Sequence, residues 1–187
     1  MKKIVLFASG SGTNVQNIIQ KFRQSNEVEV VAVFCNNPNA GVLDRAKSLA
    51  VPIVLFSKED LNGEIILLKL NAFRPDLIVL AGFLLKFPIN IIQAYPQKII
   101  NIHPALLPKY GGKGMYGIHV HHAIVENKET ETGITIHYID AQYDEGAIIL
   151  QKSIPLNGTE TATEIAEKVH QIEQEYFPQV ILKLLGF

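Results

Sequence analysis

The sequence predicts an α/β fold: an open, mostly parallel sheet with helices on both faces and a mixed C-terminal edge. Three observations predict it. Short apolar runs alternate with helical patterns through the first half of the 187 residues, the pattern of βαβ units. The run Leu77–Leu80 is apolar at every position, as a strand covered on both faces requires. The second half then turns β-rich, with Gly133–Ile139 and Ala147–Ile154 separated by the acidic stretch Asp140–Gly146.

The elements follow in order. Lys3–Ala8 is short and apolar and ends in Gly and Ser, which reads as a buried strand. Asn14–Phe22 is a helix with Val15, Ile18, Ile19 and Phe22 on one face. Val28–Phe34 is a second strand, Ala40–Leu49 a second helix and Ile53–Phe56 a third strand. Leu61, Ile65, Leu68 and Ala72 mark one third helix, closed before Pro75. Ile99–Ile102 is another buried strand, followed by a Pro/Gly-rich loop over 104–118 and a short helix over His119–Glu126. The two later β runs pair as a hairpin or lie as neighbours. Thr161 and Glu164 form a capping-box pattern. It opens a last helix with Ile165, Val169, Ile172 and Tyr176 at helical spacing.

Composition bounds the function. Hydrophobic residues at 48% and charged residues at 19% exclude a disordered chain. The length fits one domain, 1–187. Seventeen basic against 18 acidic residues, net −1, give no field to hold a polyanion. No nucleic-acid partner is expected. The single cysteine, Cys35, cannot make an intrachain disulfide, and a reducing, cytoplasmic setting fits. The apolar run Ile4–Ala8 is too short for a signal-peptide core. Other apolar stretches break before about 18 residues, so no membrane span is expected.

Three constellations carry chemistry. Ser9-Gly10-Ser11-Gly12-Thr13-Asn14 lies between the first strand and first helix. Glycines permit positive φ and close backbone approach, and the helix N-terminus adds free N–H donors. This suits an anion, most simply a phosphate; the alternative is a plain Gly-rich turn. The Gly-Lys-Ser/Thr of a nucleotide-triphosphate loop is missing, Val15 replaces the third glycine of a dinucleotide loop, and Phe34-Cys35-Asn36-Asn37 stands where a ribose-binding acid would be. A monophosphate therefore fits better than a dinucleotide.

Asn101-Ile102-His103-Pro104 ends a strand, where ligands of open α/β sheets sit. Asn101 and His103 share a side of that strand and suit a developing oxyanion. The acidic loop 140–146 could bring a carboxylate to His103, raising its pKa and orienting the ring, or be a solvated turn. His119, His121 and His122 resemble a metal cluster. Their helical spacing does not gather three ligands, however, and no metal is expected. Cys35 has no evident activating base and is not expected to be a nucleophile.

The Ser/Gly loop, Ala81-Gly82-Phe83, Asn101-Ile102-His103-Pro104-Ala105-Leu106-Leu107-Pro108 and Asp144-Glu145-Gly146-Ala147-Ile148-Ile149 occur in that order. In this the chain resembles the folate-linked formyltransferases, from Lys3 to about Pro178. The Ser/Gly loop points within them to the phosphoribosylglycinamide formyltransferases. The resemblance implies a Rossmann-like sheet. It also implies formyl transfer from 10-formyltetrahydrofolate, as co-substrate, to the amine of glycinamide ribonucleotide, in de novo purine synthesis. No metal is implied.

By the same resemblance, Asn101, His103 and Asp144 are catalytic. Ser11, Gly12, Thr13 and Asn14 hold the substrate phosphate, and Glu173 meets the substrate's amino end. Leu84, Leu85, Lys86 and Phe87 form the pterin slot, with Asn101, Asp140, Tyr143 and Asp144 completing the folate site. The first hundred or so residues would bind phosphate and the rest would bind folate and carry the chemistry. The loop Gly111–Gly117 is longer than the short turn common in the family. Lys58 is the candidate for meeting the folate glutamate. The superfamily members that act on transfer RNA or hydrolyse formyltetrahydrofolate carry an additional domain, for which 187 residues leave no room. The hydrolase reaction remains the nearest alternative, and a non-catalytic phosphosugar-binding module the alternative of another class. The chain is expected to be a monomer or homodimer.

Overall fold

A computed structural model describes residues 1–141 and 144–187. Among the described residues seven strands form one sheet: β1 (Lys2–Ala8), β2 (Val28–Cys35), β3 (Ile53–Leu55), β4 (Leu77–Leu80), β5 (Ile99–His103), β6 (Glu131–Tyr138) and β7 (Ile148–Pro155). Their spatial order is β3-β2-β1-β4-β5-β6-β7. The first five are parallel, and β6 and β7 add as an antiparallel hairpin. The predicted sheet class and mixed C-terminal edge are both present.

The helices are α1 (Thr13–Phe22), α2 (Val42–Ser48), α3 (Lys58–Asn62), α4 (Ile65–Phe73), α5 (Ile89–Ala94), α6 (Ile118–Glu126) and α7 (Ala162–Leu185). Strand residues alternate between two apolar layers, as the two-residue pleat requires. Ile4, Leu6 and Ala8 enter a core with Val15 and Ile18 of α1 and Phe177 of α7. Val5 and Phe7 enter the other, with Ile66 and Leu70 of α4 and Ile91 of α5. Phe7 stacks on Phe34 at 4.7 Å between centroids and meets Phe56, Phe83 and Phe87 edge-on.

The expected face of α1 is the buried one: Val15, Ile18, Ile19 and Phe22. The expected single third helix is two. Ser57 and Asp60 form a capping box that starts α3, and Gly63 ends it in an extended conformation. That break resets the helical phase, so Ile66 and Leu70 are buried while Ile65 and Leu68 stay exposed. Helix α5, after Pro88, lies in a stretch the sequence pattern left unassigned.

The last helix begins at the predicted Thr161–Glu164 capping box and runs for 24 residues through the buried Pro178. A proline inside a helix leaves the carbonyl four residues back without its N–H donor. Here that carbonyl, Gln174 O, accepts instead from Asn17 Nδ2 at 2.8 Å. The bond ties α7 to α1.

β1 is the turning point of the topology: the chain winds from it to β2 and β3 on one side, then returns to β4 on the other. The carboxyl ends of β1 and β4 therefore border a crevice at the switch point, the ordinary ligand position in open α/β sheets.

Candidate active site

A cavity of about 710 Å³ occupies that crevice. Its lining joins stretches far apart in sequence: residues 10–14 after β1, 81–84 after β4, Asn101–Pro104 at the end of β5, the 112–118 segment, Asp144, and α6 and α7 residues including His121, His170 and Glu173.

The glycine-loop wall is fixed by backbone geometry. Gly12 has φ 77°, and a Cβ there would lie 2.5 Å from Val42 Cβ, so only glycine fits. Gly10 O accepts from Val42 N–H at 3.1 Å, and Ser11 O accepts from Arg45 Nε at 2.9 Å. Because carbonyl and following N–H point opposite ways across a trans peptide, these bonds turn the Ser11 and Gly12 N–H groups away from α2. Helix α1 follows with no side-chain cap, which leaves its first-turn N–H donors for a ligand.

Glu173 reaches this wall from α7. Its Oε2 accepts from Asn14 Nδ2 at 2.9 Å and from His170 Nδ1 at 3.2 Å. Gln174 Nε2 donates to His170 Nε2 at 2.9 Å, which assigns the ring proton to Nδ1. Glu173 follows Ile165 and Val169 at four-residue spacing, which turns it inward.

The opposite wall is built by hydrogen bonds across the sheet. Asn101 and His137 stand opposite one another on β5 and β6. With His137 Nδ1 donating to the Tyr138 carbonyl at 2.9 Å, Nε2 accepts from Asn101 Nδ2 at 3.1 Å and lies 3.6 Å from Asp144 Oδ1. The second N–H of the Asn101 amide is left over. His103 Nε2 donates to the Tyr110 carbonyl at 2.7 Å, and its Nδ1 lies 3.7 Å from Asp144 Oδ2. That carboxylate oxygen also accepts from Gly112 N–H at 2.9 Å. Asp144 has φ 56°, a left-handed conformation that Asp tolerates better than most residues. Gly146 must be glycine because a Cβ would lie 1.8 Å from the Tyr138 carbonyl oxygen.

Burial pushes the His103 pKa down, and the Asp144 charge and Tyr110 carbonyl only partly oppose it. The neighbouring carboxylate does raise the His103 pKa, as expected, but burial outweighs it and the net shift is downward, so the ring is neutral near pH 7. Burial pushes the Asp144 carboxyl up, but His137, His103 and the Gly112 N–H outweigh it, so the carboxyl ends below its ordinary value. The pair is thus a neutral imidazole with a basic Nδ1 facing a carboxylate.

The remaining predicted positions fall as follows. Ser11, Gly12, Thr13, Asn14 and Glu173 line the cavity together with Asn101, His103 and Asp144. Leu84 lines it as well, and its N–H donates to Ser9 Oγ at 3.0 Å. Leu85 and Phe87 pack into the aromatic core and Lys86 is exposed, so their side chains stand outside the lining. Asp140 and Lys58 are outside it too, and Tyr143 lies outside the described residues. Of the three α6 histidines, only His121 is turned inward. It is buried with Val120 and Ile124, and its pKa is lowered by burial. His119 packs edge-on against Tyr116 and His122 is exposed. Cys35 is buried, and burial pushes its thiol up. Among the described residues no group of His, Cys, Asp or Glu is arranged to hold a metal ion, and no helix is long and apolar enough to cross a membrane.

Sequence reasoning missed His137, His170 and the inward role of His121. The phase of α6 could have found His121, three residues before Ile124. His137 needed the β5–β6 register.

The formyl transferase family matches residues 2–181. The chain is 34% identical to the chloroplastic phosphoribosylglycinamide formyltransferase of Arabidopsis thaliana over 96% of its own length, and spans 64% of that relative. It is 33% identical to the phosphoribosylglycinamide formyltransferase of Bacillus subtilis, covering 100% of this chain and 96% of that protein. The crystal structure of glycinamide ribonucleotide transformylase 1 from Geobacillus kaustophilus superposes with a TM-score of 0.90 at 35% identity, covering 100% of both chains. The chain belongs to the formyl transferase family.

Proposed function

We propose that the chain transfers the formyl group of 10-formyltetrahydrofolate to the glycyl amine of glycinamide ribonucleotide, by direct attack through a tetrahedral intermediate. The observation that carries this reading is the single cavity in which an uncapped Ser/Gly helix start faces Asn101, His103 and Asp144. A binding module for a phosphosugar has no need of the second group.

In this reading the phosphate rests on residues 11–14, and Glu173, held by Asn14 and His170, meets the polar remainder of the ribonucleotide. The folate enters beside Leu84. The neutral amine attacks the formyl carbon. The carbonyl oxygen gains negative charge and takes the spare N–H of Asn101. Nδ1 of His103, basic because Nε2 is committed to Tyr110, accepts the proton the amine gives up. The resulting imidazolium faces Asp144, whose charge stabilises it, and returns the proton to the folate nitrogen as the C–N bond breaks. Holding both substrates in one cavity supplies much of the remaining rate enhancement.

The test is an assay with purified protein and both substrates. Formylated ribonucleotide should appear only when both are present. Folate deformylation at the same rate without the amine would overturn the proposal in favour of hydrolysis.

A further inference from the structure

The proposed substrates are both anionic, yet the cavity is short of positive charge. Its described lining contains two carboxylates, Asp144 and Glu173, and a single lysine or arginine, Lys113. Backbone amides and a helix N-terminus supply only partial charge, equivalent to about half a unit. Against two carboxylates a full cation has a purpose. Lys113 is exposed and, among the described residues, has no ion-pair or hydrogen-bond partner for its side chain.

Lys113 also stands between two glycines. It is flanked by Gly112 and Gly114, with φ 90° and 91°, values that L side chains rarely adopt. A Cβ added at either would meet nothing within 4 Å, so the glycines serve backbone conformation and not close packing. The segment leading into them is tied to the reactive groups. The Tyr110 carbonyl holds His103 at 2.7 Å, and Gly112 N–H holds Asp144 at 2.9 Å. An anion engaged by Lys113 is thereby connected through one residue to the Asp144 carboxylate.

We propose that Lys113 is a specificity-determining residue that binds an anionic end of the substrates, either the phosphate monoester or a glutamate carboxylate of the folate. The inference rests on the substrates proposed above. It assigns a function to the long 111–117 segment.

The test uses the intact chain as Lys113→Met and Lys113→Arg. KM is measured for each substrate, and the shift in unfolding midpoint is measured with ribose 5-phosphate and with 5-formyltetrahydrofolate, which needs no turnover. In Lys113→Met one KM should rise about tenfold, the loss of one hydrogen bond to a charged group, with kcat changing less. The midpoint shift from the matching ligand should shrink, and Lys113→Arg should restore most of both. A change confined to the ribonucleotide and ribose 5-phosphate identifies the phosphate. A change confined to the two folates identifies the carboxylate. Unchanged KM values and unchanged midpoint shifts in Lys113→Met would overturn the proposal. If the wild-type chain binds both ligands without transferring formyl, the reaction assignment fails while the midpoint shifts still decide the role of Lys113.

Discussion

The two walls of the cavity reach the same precision by different routes. On the glycine-loop wall the geometry is carried by the backbone: a positive φ at Gly12, an uncapped α1 and two loop carbonyls turned toward α2. On the imidazole wall it is carried by side chains. Asn101, His103, His137 and Asp144 come from three stretches, and the imidazole protons are set by backbone carbonyls, of Tyr110 for His103 and of Tyr138 for His137. The first wall needs few side chains and resists change by sterics. The second loses its chemistry when a side chain is replaced, because its chemistry resides in the tautomers.

That contrast makes the largest expected effect a kinetic one. His103→Ala removes the basic Nδ1, and Asp144→Asn keeps the shape and the left-handed backbone while removing the charge. Each should lower kcat about 10²–10³-fold, the typical cost of a transition-state hydrogen-bond group. Far-UV circular dichroism should stay that of the wild type. Turnover within threefold of wild type in either variant would remove its role and collapse the distinction between the walls.

Gly12→Ala probes the other wall and should behave in the opposite way. The new Cβ meets Val42 at 2.5 Å on a backbone already at φ 77°. Strain and overpacking together should cost about 2–3 kcal/mol of stability, read as a lower urea midpoint. Binding of ribose 5-phosphate should weaken with it. An unchanged midpoint would mean that the loop gives way easily and that its geometry is not locked.

The same division decides what could be read from sequence. The face of α1, the capping box at Thr161 and the all-apolar β4 depend on periodicities of a few residues, and all three were legible. The split between α3 and α4 was legible too, had the Ser57–Asp60 capping box been weighed above the apolar spacing. The inward turn of Glu173 follows the four-residue rhythm of α7, although resemblance found it first. The direction of the His103 pKa was not legible. It depends on burial outweighing Asp144, and nothing in the linear order of residues shows how deep an imidazole lies. Nor was the partner of its Nε2, a backbone carbonyl seven residues on.

The smallest effect is on stability with pH, and here the walls should separate once more. His103 takes a proton less readily folded than at its ordinary value of 6.5, chiefly through burial. Below that pH the unfolded chain therefore binds more protons, and stability falls as pH drops toward the lowered folded value. Above 6.5 the contribution is complete. Asp144 adds a second loss of the same sign below its ordinary 3.8. Urea unfolding across this range should show the first decline in the wild type and a shallower one in His103→Gln, with the residual slope coming from His121, whose pKa burial also lowers. Gly12→Ala should lower the whole curve and leave its shape alone, because no titrating group changes its surroundings. A His103→Gln curve as steep as the wild type's would mean that the buried imidazole on the second wall does not govern acid sensitivity, and that its neutral state is not what the fold protects.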